Sequence, residues 1–133
     1  MHKGFLRTGA VLGALTVAIG AFAAHGLRQF VSDYAFNVFE TGVRYQFYHV
    51  FALLLTAVIY KDFNNKFLRW AGMLFLVGII LFSGSLYGIT IVNAFLLPRY
   101  PFLGAITPVG GLCFILGWLS LFVGIFKSSV KNH

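Results

Sequence analysis

Hydrophobic residues run along this chain in four long blocks, and nearly all the charge lies between them. The block cores are Val11–Ala24, Phe47–Tyr60, Trp70–Val92 and Val109–Phe126. With their uncharged flanks, each reaches about the 20 apolar residues that a helix needs to cross a bilayer. The pattern predicts an all-α fold in one domain over residues 1–133: an integral membrane four-helix bundle. The spans fall near residues 5–24, 39–60, 67–92 and 107–126, with an amphipathic outer segment over 27–38.

Local signals set the helix ends. Ala24-His25-Gly26 ends the first helix with glycine at the C-cap. Ser32 is a good N-cap, and Asp33 in the first turn suits the helix dipole. A helix is expected to run unbroken from Asp33 to Tyr60, or about 42 Å at 1.5 Å per residue. That exceeds a hydrocarbon core of about 30 Å. Its first turns must therefore protrude, tilt or bend, with Gly42 as the natural bending point. Lys61–Lys66 forms a short polar turn. Pro98-Arg-Tyr-Pro101 breaks the backbone at the outer interface. Thr107 is then expected to cap the last helix, with Pro108 at its first position.

Small residues form ridges on three of the blocks. Gly9 and Gly13 make a small-xxx-small step, which Ala10, Ala14 and Ala18 continue. Ala71, Gly78 and Ser85 recur every seven residues, as do Gly110, Gly117 and Gly124, while Gly84 and Gly88 add a shorter step. In lipid, such ridges let helix backbones approach closely. They exceed what one small bundle needs, so a homo-oligomer is expected.

Composition sharpens this picture. The chain is 59% hydrophobic and only 10% charged, against roughly 25% charged in soluble domains. Its mean hydropathy is +0.88, and 133 residues are expected to hold four spans and short loops with no separate soluble domain. The net charge of +7 would suggest nucleic acid in a soluble protein. Here the cations flank the spans, so the partner is the lipid bilayer and no nucleic acid is expected. Four spans put both termini on one side. That side carries Lys3, Arg7, Lys61, Lys66, Arg69, Lys127 and Lys131, against Arg28, Arg44 and Arg99 on the other. The positive-inside rule therefore places both termini in the cytoplasm.

Lys3, Arg7, the apolar run Val11–Phe22 and Ala21-Phe22-Ala23 also resemble a cleavable signal peptide. The glycine and alanine ridge favours a retained, packed helix instead. The single cysteine, Cys113, excludes an internal disulfide or a multi-cysteine metal site and reads as a packing residue.

One segment carries candidate chemistry. On a helix, Arg44 falls about 40° from Glu40, Tyr48 about 80°, Tyr45 about 140° and His49 about 180°. This stripe descends from the outer surface into the bilayer. Glu40 and Arg44 form an i,i+4 pair, and ionisable residues in a membrane normally face the bundle. The stripe is then either a structural ion pair with a hydrogen-bonded His49, or the lining of a polar cavity for a solute, ion, proton or headgroup. Ser83, Ser85 and Tyr87 are the natural facing partners, with His25 at the rim. There is no catalytic triad, HExxH motif or phosphate-binding glycine loop, so no catalytic residues are assigned. His25 and His49 organise too few ligands for a metal or haem, and no cofactor is expected.

Gly20-Ala-Phe-Ala-Ala-His-Gly26, Phe39-Glu-Thr-Gly-Val-Arg-Tyr-Gln-Phe-Tyr-His49, Leu81-Phe-Ser-Gly-Ser-Leu-Tyr87 and Ile106-Thr-Pro-Val-Gly-Gly111 occur in that order. In these motifs the chain resembles the small bacterial membrane proteins of the domain of unknown function 423 family, which are similar to the transmembrane-protein-256 family of animals. The resemblance covers essentially the whole chain. It implies a four-span protein of the bacterial cell membrane and brings no activity with it. Three function classes follow: a self-associating structural or accessory protein within a homo-oligomer or a larger membrane complex; a transporter or channel subunit that lines a pathway only as an oligomer; and a lipid- or quinone-handling membrane enzyme. The first is expected, with no catalytic role.

Overall fold

The computed structural model describes residues 1–131, which are mostly helical with no strand among them. Four helical stretches are long and apolar enough to cross a membrane: Lys3–Gln29, Asp33–Ile59, Lys66–Ala94 and Pro101–Ser128. Helix α1 runs Lys3–His25 and ends at Gly26, followed by a 3-10 turn over Leu27–Gln29. Helix α2 runs Asp33–Ile59, and the Ser32 hydroxyl accepts from the Ala35 N–H at 3.2 Å, as its N-cap signal predicts. Asn65 starts α3 (Lys66–Gly78) by accepting from the Phe67 and Leu68 N–H groups. The same amide donates to the Gly124 carbonyl at 2.8 Å and to Ser128 at 2.9 Å, tying the start of the third span to the end of the fourth.

The third span is not a uniform α-helix. Between α3 and α4 (Gly84–Ala94) it widens into a π-helical turn over Ile79–Ser83. Helix α4 closes with Leu96 at φ 51°. The Leu97 N–H reaches the Val92 carbonyl at 3.0 Å, and the Leu96 N–H reaches Asn93 at 3.3 Å. This is the paired closure that glycine usually makes at a helix end, built here on a bulky side chain for which positive φ is a strained outlier.

Helix α5 runs Pro101–Lys131, which corrects the expected start at Thr107. Pro101 already supplies a preset φ and a dispensable N–H at the first helical position. Thr107 is an interior residue bonded to Ser85 at 2.6 Å and to the Leu103 carbonyl at 3.3 Å, and Pro108 lies inside the helix. Neighbouring groups make an interior proline tolerable in a membrane helix.

The small residues decide how the helices meet. Helix α1 packs on α2, and the third span packs on both α2 and α5. A Cβ on Gly9 would strike Leu54, and Cβ atoms on Gly13 and Gly20 would touch Val50 and Val43. On the other side, Gly117 receives the Phe75 ring, Gly124 receives Leu68, and Gly78 of α3 receives the Phe114 ring of α5. Gly110 lies directly against the backbone of Phe82 in the π turn. The sevenfold seam of α5 is therefore used inside the protomer. Ala10, Ala14 and Ala18 of α1 remain exposed.

Candidate functional site

A chain of side-chain hydrogen bonds joins α1, α2 and α4 in the interior. The Gln46 amide nitrogen donates to Thr16 Oγ1 at 2.8 Å, and its carbonyl oxygen accepts from the Tyr87 hydroxyl at 2.7 Å. Thr16 donates in turn to its own helix at the Leu12 carbonyl, 2.6 Å away. Thr16 and Gln46 are both buried. A primary amide suits this place because one end donates and the other accepts. Two further hydroxyls bind the third span to α2: Ser83 donates to the Gly42 carbonyl at 2.7 Å, and Thr90 to the Ala35 carbonyl at 3.2 Å. Gly42 permits this approach, since a Cβ there would strike the Tyr87 ring at 2.8 Å. Its role in the structure is as this contact point.

His49 occupies a second, aromatic setting. Its Nδ1 lies 2.7 Å from the Tyr45 carbonyl, and Trp118 Nε1–H donates to its Nε2 at 3.2 Å. An acceptor at Nε2 fixes the neutral tautomer with the proton on Nδ1, so both ring nitrogens are used. The ring stacks on Phe114 with centroids 3.4 Å apart and planes 6° apart, and Phe75 closes in at 5.7 Å. Beside it, α2, the π turn and α5 leave an outward-open groove of about 620 Å³, walled by Tyr45, Phe82, Phe114, Ile115 and Trp118. No described buried side-chain nitrogen or oxygen lacks a partner.

The structure divides the stripe expected from the sequence. His49 is buried, whereas Glu40, Arg44, Tyr45 and Tyr48 are exposed. The structural ion pair expected between Glu40 and Arg44 is corrected: the Arg44 guanidinium donates to Thr41 Oγ1 at 3.3 Å instead. Helical spacing permits the pair, but two exposed side chains gain little by holding one geometry. Ser83 and Tyr87 do face α2, through Gly42 and Gln46 rather than the stripe. Ser85 turns away to Thr107 on α5. His25 is exposed at the end of α1 and bonds the Ala21 carbonyl of its own helix. Thr16, Gln46, Thr90 and Trp118 were missed. Gln46, an amide in the middle of an apolar block, was the available signal.

Comparison with known proteins gives this helical arrangement its place. The family model described as "Protein of unknown function (DUF423)" matches residues 19–111. The UPF0382 membrane protein SAB0533 of Staphylococcus aureus is 42% identical over 125 residues, covering 94% of this chain and 97% of the relative. A UPF0382 membrane protein of Haemophilus influenzae is 40% identical over 128 residues, 96% of this chain and 98% of its own. YwdK of Bacillus subtilis, also a UPF0382 membrane protein, is 38% identical over 126 residues, with 94% and 98% covered. No solved structure matches the chain. The chain belongs to the DUF423 family of bacterial membrane proteins.

Proposed function

We propose that this is a multi-pass protein of the bacterial cytoplasmic membrane that acts as a structural or accessory component and associates with itself, without a catalytic role. The observation that carries this reading is the pairing of the interior. The buried hydroxyls, the Gln46 amide and both His49 nitrogens bond within the protomer. An interior bonded to itself holds helices together and offers a solute few free groups.

The outside of α1 supports self-association. Gly9, Gly13 and Gly20 face α2, while Ala10, Ala14 and Ala18 form an exposed small-residue ridge. Such a ridge lets a second helix approach closely in lipid. The basic residues support termini in the cytoplasm.

Oxidative crosslinking tests the association. In a Cys113→Ser background, Ala14→Cys should crosslink two copies in membranes, and Gly13→Cys, facing α2, should not. Equal crosslinking at both positions, or none at either, would overturn the reading. A transporter or channel subunit is the second reading, and the groove beside His49 favours it. Assembled protomers would have to close that groove into a pathway.

A further inference from the structure

A second hollow lies at the end of the bundle that carries the 95–100 loop. The first turn of α2, the end of α4, the loop itself and the start of α5 border an open hollow of about 670 Å³ there. Its walls are zoned. The half-buried Val92 and Leu103 supply an apolar floor, and the exposed Tyr34, Asn93, Arg99 and Tyr100 supply a rim of phenol, amide and guanidinium donors. The lining includes one cation, Arg99, and no carboxylate. The α5 N-terminus opens on the same space, and its dipole favours negative charge there.

Leu96 adds an independent observation. It stands at the rim, 92% exposed, in the strained conformation at φ 51°. An apolar side chain held out in this way is poorly placed against water and well placed against an acyl chain. Cation, donors and apolar floor together match a molecule that joins a phosphate to hydrocarbon. Free phosphate would use only the rim.

We propose that this hollow binds one phospholipid of net negative charge, such as phosphatidylglycerol. Its phosphate meets Arg99 and the rim donors, and its upper acyl carbons lie on Val92 and Leu103. A zwitterionic headgroup adds an ammonium that finds no carboxylate in the lining.

Native mass spectrometry of the full chain released from detergent tests this. The chain is titrated with phosphatidylglycerol, then with phosphatidylcholine of the same acyl chains. Phosphatidylglycerol should saturate at one adduct per protomer and bind roughly tenfold tighter than phosphatidylcholine, because both offer Arg99 a phosphate but only phosphatidylcholine brings an ammonium that the guanidinium repels. Arg99→Gln should remove that preference. Gly104→Leu should weaken both lipids, because a Cβ at Gly104 meets only open space and the longer side chain fills the hollow without disturbing the fold. Arg28→Gln, an exposed cation absent from this lining, should bind like wild type. Equal retention of the two lipids by wild type would overturn the proposal. So would an Arg28→Gln loss matching that of Arg99→Gln, which would mean diffuse charge. Full displacement of phosphatidylglycerol by millimolar inorganic phosphate would overturn it too, as that would mark a soluble-anion site.

Discussion

Gly110→Ala is the sharpest perturbation the fold offers. The added methyl would lie 2.7 Å from both Cα and Cβ of Phe82 and closer still to its backbone nitrogen. Carbon atoms in contact rest about 3.5–4.0 Å apart, so α5 and the π turn must separate by the order of 1 Å. The obstacle is backbone, which no rotamer change removes. Overpacking a well-packed interior costs typically 1–3 kcal/mol. The helix-propensity gain of alanine over glycine, about 0.5–1 kcal/mol in water, does not offset this here. A chain unfolded in a bilayer must stay helical to satisfy its backbone, so both states share the gain. The net loss should therefore stay at the overpacking cost, about 1–3 kcal/mol. Gly104→Ala on the same helix meets nothing within 4 Å and serves as the control. Both variants are unfolded in mixed micelles by SDS titration, followed by circular dichroism. Gly110→Ala should unfold at clearly lower SDS, and Gly104→Ala should match wild type. Identical transitions for Gly110→Ala and wild type would refute the close approach of α5 to the π turn.

Three other outcomes follow from the same geometry. Gln46→Leu leaves the Tyr87 hydroxyl without its acceptor and should destabilise by about 1–3 kcal/mol; a double-mutant cycle with Tyr87→Phe should give a coupling near 0.6 kcal/mol, the average for hydrogen bonds between membrane helices, and zero coupling would remove the bond. Glu40→Ala and Arg44→Ala should each melt like wild type, because both side chains are exposed and unpaired with each other; a marked drop in either would restore the ion pair. Reporter fusions after Lys131 and within the loop at Arg99 should report cytoplasm and exterior respectively, and the same compartment for both would refute the proposed topology.

The spans were legible because a membrane helix must be apolar along its whole length, and that leaves a signal no soluble core produces. Ser32 and Gly26 marked helix ends because capping is local chemistry. The seam of Gly110, Gly117 and Gly124 was legible as a packing surface, but its partner was not. The sequence shows that a helix approaches closely, without showing that Phe75 and Leu68 of the third span are what approach. That ambiguity turned internal packing into an argument for oligomers. The start of α5 was misplaced because Thr107-Pro108 and Pro101 are both good starts locally. The Ser85–Thr107 bond, 22 residues apart in sequence, accompanies the earlier one. The π turn follows no local rule we can read. In the candidate site, attention to charge selected Glu40 and Arg44, which are exposed. The uncharged Gln46 took the central place, because an amide can satisfy two hydroxyls at once without carrying a charge into the bilayer.

Self-association through the outer face of α1 is tested most directly by mass. The full chain, reconstituted in native-lipid nanodiscs, is measured by single-particle mass photometry over a wide dilution range, beside an Ala10→Leu, Ala14→Leu, Ala18→Leu variant. The account predicts a wild-type mass of two or more protomers that persists on dilution and falls to one in the variant. A single protomer at every wild-type concentration would contradict it.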